Sequence, residues 1–111
     1  MSLEPRDYLR HILSETDYLI RTSEAISVEA FLLDETLQRA FVRSLEIIGE
    51  AAKKLPDNLR RSHPQVEWSA MAKMRDRLIH AYFGVDYELV WEVVRTRIPQ
   101  LHTDLHAILS K

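Results

Sequence analysis

Apolar side chains return every three or four residues along most of this chain. Tyr8, Leu9, Ile12, Leu13, Leu19 and Ile20 do so near its start, and Leu37, Phe41, Leu45, Ile48, Ala52 and Leu55 further on. That spacing gathers side chains on one face of a helix, whereas a half-buried strand needs strict alternation. Only 2 glycines and 4 prolines interrupt 111 residues. The pattern therefore predicts an all-α fold. With 46% hydrophobic residues, the chain can build one core of modest size, which predicts a single domain over residues 1–111.

The breaks in the pattern set the expected elements. A first helix is predicted over residues 5–22. Ser27 offers an N-cap for a short turn, and Asp34 caps a second long helix running to about Lys54. Gly49, in the middle of that helix, costs roughly 1 kcal/mol against alanine, which points to a close helix contact there. Pro56 closes it, and the segment to Pro64 suits a short helical turn and a loop. A third long helix is predicted from Glu67 to Tyr82, with Trp68, Met71, Met74, Leu78 and Ile79 inward and Phe83-Gly84 as its end. Asp86 caps a fourth, which Pro99 should kink or restart because proline lacks a backbone donor. Four main helices with short connections favour an antiparallel up-and-down four-helix bundle with short extra turns. Tyr87 and Trp91 are expected outside the core, where they favour a helix-on-helix dimer.

Composition also excludes chemistry. Without cysteine there is no disulfide, thiolate metal site or cysteine nucleophile, and nothing asks for an oxidising compartment. The first residues lack the apolar run of a signal peptide, and no stretch approaches the ~20 apolar residues of a membrane span. A soluble, cytoplasmic protein with no membrane association is expected. The net charge of −2 argues against nucleic-acid binding by bulk charge alone. Its distribution says more. Arg60, Arg61, Lys73, Arg75 and Arg77 face only Glu67 and Asp76 between residues 60 and 80, whereas the first 55 residues carry 10 acids and 7 Lys or Arg. Such a strip can hold a few phosphates, although a merely solvated helix face has the same composition.

The window from Met74 to Phe83 places two arginines, a carboxylate, a histidine and a phenol near a helix end. Arginine pairs with phosphate oxygens through two N–H groups, and histidine moves protons near neutral pH. At about 100° per residue, Arg75 and Tyr82 share a face, but Arg75 and His80 stand about 140° apart. Asp76 and His80 are four apart, so the Asp76 carboxylate can accept from an imidazole nitrogen and set its tautomer. Arg75 would then reach the site by its length, by an irregular helix end, or from a second subunit. Read as residues alone, the same set is more often an ordinary charged helix face.

The run RDRLIHAYFGVDYELVWEVV, preceded by LEIIGEAAKKLP at residues 45–56, resembles the HepT group of HEPN-domain proteins. The family hallmark is an arginine, a spacer of four to six residues, a histidine, one residue and a tyrosine. Arg75, His80 and Tyr82 match it. Ala81 stands where glycine is common, and Asp76 where asparagine is frequent. The resemblance implies a HEPN bundle that forms homodimers, bringing the motifs of two chains to one RNA cleft. It implies a metal-independent ribonuclease without cofactor, with Arg75 and His80 catalytic, Asp76 supporting, and Lys73 and Arg77 on the RNA phosphates. It also implies a partner, an MNT-type nucleotidyltransferase antitoxin that silences the toxin by AMP transfer to Tyr82. Two other readings compete: a noncatalytic module that binds a nucleotide or that nucleotidyltransferase, and a metal site at His102 and His106, whose spacing presents two imidazoles on one face.

Overall fold

The computed structural model describes residues 3–81 and 84–111. Among these residues it contains seven helices and no strand: α1 (Pro5–Glu24), α2 (Val28–Leu32), α3 (Glu35–Lys54), α4 (Asp57–Ser62), α5 (Trp68–Ile79), α6 (Tyr87–Thr96) and α7 (Ile98–Leu109). The expected all-α bundle is what forms, and its caps are the local ones. Ser27 Oγ accepts from the Ala30 N–H at 3.1 Å, Asp34 Oδ1 from Leu37 at 3.0 Å, and Asp86 Oδ1 from Leu89 at 3.1 Å. Each satisfies a first-turn donor that the helix itself leaves open.

α1 runs antiparallel to α3, since Tyr18 meets Phe41 while Glu15 meets Ser44. It also runs antiparallel to α7, with Arg6 reaching the Leu109 carbonyl and His102 facing Asp17. Leu9, Ile12 and Leu19 of α1, Phe41, Leu45 and Ile48 of α3, Val90 and Val94 of α6, and Leu105 of α7 are buried together. Each such side chain stabilises the fold by roughly 1.5–3 kcal/mol relative to exposure. The buried hydroxyls are satisfied: Ser44 donates to Glu15 at 2.7 Å, and Ser23 accepts from Arg95 at 3.0 Å.

One expectation with two alternatives is resolved, and two are corrected. Of the two outcomes expected at Pro99, kink or restart, the structure shows the restart: Arg97 (φ −100°, ψ −39°) ends α6 and begins α7, and Pro99 falls in the first turn of α7. There its missing N–H costs nothing. The third long helix stops at Ile79, with His80 as its C-cap, short of Tyr82, which lies outside the described residues. Only Trp68 of its inward set is buried; Met71, Met74 and Leu78 are half-buried and Ile79 is exposed. Finally, Tyr87 and Trp91 are half-buried and pack against the core rather than standing clear of it. The Trp91 ring lies parallel to Phe41 at 6.5 Å and tilted against Phe31 at 5.2 Å, and Tyr87 meets Phe31 edge-on at 6.5 Å.

α5 packs mainly on α3. On the side of α5 towards α6 and α7 an apolar groove of about 440 Å³ remains, lined by Leu45, Ile48, Met71, Met74, Val93 and Leu101. No helix among the described residues is long and apolar enough to cross a membrane.

Candidate active site

The position of Arg75 begins with Gly49. A Cβ placed on that glycine would overlap Arg75 Cβ and lie 2.6 Å from the Met71 carbonyl oxygen. No side chain fits in that gap, so α3 and α5 cross as closely as their backbones permit. The close helix contact that this residue implies is therefore present, and it presses the root of Arg75 against α3.

The arginine side chain then runs to two carboxylates. Its Nη2 pairs with Glu50 Oε2 at 3.1 Å and its Nη1 with Asp76 Oδ1 at 3.0 Å. Lys53 Nζ reaches the same Asp76 oxygen at 3.4 Å. Arg75 is only 25% exposed, against 46% for Glu50 and 48% for Asp76. The hydrogen bond from Arg75 holds the Asp76 carboxyl below its ordinary value, and Lys53 acts in the same direction. Asp76 is thus ionised at neutral pH. What it contributes is complete above the ordinary carboxylate range and is lost as the pH falls through its lowered value.

His80 takes its place from the end of the helix. Its backbone N–H donates to the Asp76 carbonyl at 3.2 Å, closing the last turn. Its ring Nδ1 lies 2.8 Å from that same oxygen. A carbonyl only accepts, so this contact selects the tautomer with the proton on Nδ1 and places the imidazole lone pair on Nε2. The expected role of the Asp76 carboxylate is therefore corrected. The carboxylate is drawn to the guanidinium and ammonium beside it, and the backbone carbonyl of the same residue fixes the imidazole.

Asp76 is accordingly the common point of the site, with its side chain on Arg75 and its carbonyl on His80. Counting about 100° per residue, Lys73, Arg77 and His80 lie within one narrow sector of α5, on the side away from Arg75. All three are exposed, so the strip expected to meet phosphates continues the face that carries the histidine. The angular gap between Arg75 and His80 persists within one chain, because Arg75 is held towards α3. Sequence reasoning does not find Glu50 and Lys53. They join the site across helices, and no spacing pattern along the chain announces them.

His102 and His106 stack with ring centres 6.3 Å apart, and His102 Nε2 lies 3.9 Å from Asp17. Among the described residues no group of three or more His, Asp or Glu side chains gathers as metal ligands would.

Comparison with known proteins places the sequence in a family. The family model for ribonuclease HepT-like proteins matches residues 7–108. A relative from Caldanaerobacter subterraneus subsp. tengcongensis, described by its name as an RNase, is 52% identical over 107 residues, 96% of either chain. One from Thermococcus cleftensis, named as a ribonuclease HepT, is 45% identical over 101 residues, 91% of this chain and 92% of its own. A third, from Methanocaldococcus jannaschii and also named as an RNase, is 39% identical over 105 residues, 95% of this chain and 87% of its own. Among solved structures none matches. A match running from residue 7 to residue 108 leaves little of the sequence outside it, and the chain belongs to the HepT-like ribonuclease family.

Proposed function

We propose that this chain is the toxin of a HEPN/MNT toxin–antitoxin pair, a metal-independent endoribonuclease acting in the cytoplasm as a homodimer. The observation that carries the reading is the double use of Asp76. One residue orients a phosphate-binding guanidinium through its carboxylate and a proton-transferring imidazole through its carbonyl.

The chemistry follows from those two groups. Nε2 of His80 takes the proton of a ribose 2′-hydroxyl as its oxygen attacks the adjacent phosphorus. Arg75 stabilises the charge that builds on the phosphate oxygens. The 2′-oxygen–phosphorus bond forms, the bond from phosphorus to the 5′-oxygen breaks, and a proton goes to that leaving oxygen. The products are a 2′,3′-cyclic phosphate and a 5′-hydroxyl. Nothing in this sequence of bonds calls for a metal ion, and cleavage should persist in a chelator. Two copies meeting across α5 would supply Arg75 from one chain and His80 from the other, which is how the angular gap between them would close. The apolar groove beside Met71 and Met74, and the exposed Ile79, support such an association.

Lys73 and Arg77 would hold RNA by charge alone. Replacing either with alanine should weaken binding to any sequence alike. It should also flatten the dependence of log affinity on log salt by about 0.7 for each single-strand phosphate that the protein no longer neutralises. A titration at several salt concentrations reads this directly, and an unchanged slope would place both residues off the RNA.

Tyr82 is the proposed point of control. AMP carried on its phenol would add a phosphate to the motif that contains Arg75 and repel an RNA backbone. The test is induction of the chain alone and together with the nucleotidyltransferase encoded beside it, followed by intact mass. Growth should stop only for the unaccompanied chain, and the coexpressed protein should gain mass in AMP units at Tyr82. Equal growth in both cases with unmodified mass would favour the noncatalytic binding module.

A further inference from the structure

Glu50 lies next to the glycine at which α3 and α5 cross, and its carboxylate ties the Arg75 guanidinium to a helix other than its own. Asp76 holds the other amino group of the guanidinium at 3.0 Å, but it is the neighbour of Arg75 on α5 and moves with it. A planar group held at one end by a sequence neighbour can still swing about its stem. Held at the second end from α3, at 3.1 Å, it has a fixed plane. The contrast with Lys73 and Arg77, both exposed on the same helix, shows that the constraint belongs to this position and not to α5 in general.

We propose that Glu50 is the positioning residue of the site: it sets the plane of the Arg75 guanidinium so that its remaining N–H groups face the phosphate. The inference rests on the ribonuclease reading above and deepens it. Arginine has five N–H donors in a rigid fork, and two of them spent on carboxylates leave three for substrate. Fixing the fork beforehand removes an ordering step from the transition state. The same carboxylate adds negative charge beside the phosphate site, so it does not help an RNA strand to bind. Orientation is gained and ground-state attraction is weakened, and this combination gives Glu50 a kinetic signature that neither a packing residue nor an RNA ligand would share.

The experiment compares the full-length wild type with Glu50→Gln, which keeps the size and hydrogen-bonding capacity of the side chain and removes its charge. Cleavage of one RNA oligonucleotide gives kcat and KM, thermal unfolding gives the folded fraction, and nitrogen-15 NMR of the guanidinium gives the rotational freedom of Arg75. With the charge-assisted hydrogen bond removed, kcat should fall by about tenfold or more, with KM unchanged or lower and the melting temperature held. The Arg75 guanidinium should be restrained in the wild type and freed in the variant. Wild-type kcat in Glu50→Gln, a KM that rises as kcat holds, or a guanidinium equally restrained in both proteins would overturn the proposal. If the wild type itself fails to cleave RNA, the ribonuclease reading falls, and the NMR comparison alone then decides whether Glu50 positions Arg75.

Discussion

His80→Ala should lower RNA cleavage by about 10²–10⁴-fold, the usual loss when a positioned acid–base group is removed. Its effect on folding should be slight. The side chain is exposed at the end of α5, and its ring nitrogen contacts the carbonyl of its own helix. Activity and stability are therefore expected to separate in this variant, which a loss of fold would not allow. Arg75→Lys is the companion substitution: it keeps the charge but loses the planar fork, and it should fail at the same step. Dimer geometry adds a sharper expectation. If Arg75 of one chain works with His80 of the other, mixing the inactive His80→Ala and Arg75→Ala proteins creates mixed dimers with one complete site. Random exchange of subunits between two-fold dimers should then restore about a quarter of the wild-type rate. Recovery of cleavage, with cyclic phosphate ends on the product, is the measurement. No recovery, from chains shown to exchange, would mean that each site draws both residues from one chain.

What the sequence disclosed divides by distance along the chain. The caps at Ser27, Asp34 and Asp86 bond three residues ahead, so a local pattern is enough to find them. The restart before Pro99 is local too, and so is the Arg75, His80 and Tyr82 motif that pointed to a ribonuclease family. The end of α5 was misplaced by a few residues because Leu78 and Ile79 continue the apolar pattern and no glycine appears before Gly84. Nothing there signals that the Asp76 carbonyl is claimed by both the backbone and the ring of His80. Tyr87 and Trp91 read as surface residues because their partners, Phe31 and Phe41, come from distant helices. The site itself shows the same limit. Gly49 declared that something approaches closely, but that the visitor is Arg75, and that Glu50 then receives its guanidinium, depends on how α3 meets α5.

That meeting point also predicts the largest effect on stability. Gly49→Val should destabilise the protein by about 3 kcal/mol, the upper end of the usual cost of overpacking. Valine is a better helix former than glycine by a few tenths of a kcal/mol, so on an exposed helix the change would be mildly favourable. Here the first added carbon already overlaps Arg75 Cβ and lies 2.6 Å from the Met71 carbonyl oxygen. Neither atom is the free end of a flexible side chain, so the only relief is to move α5 off α3. Since α5 packs mainly on α3, the other helices would do little to hold it in place. The helix carries Arg75, Asp76 and His80 together, and the displacement would draw the guanidinium away from Glu50. Cleavage should therefore fall further than the loss of folded protein explains. Gly49→Ala provides the graded case, with a smaller loss of about 1–2 kcal/mol once its better helix propensity is offset against the same clash. Urea unfolding of the three proteins, paired with cleavage rates at concentrations where each is folded, measures both effects. An alanine variant more stable than the wild type would show that the helices do not meet at this residue, and Arg75 would then need another explanation for its place.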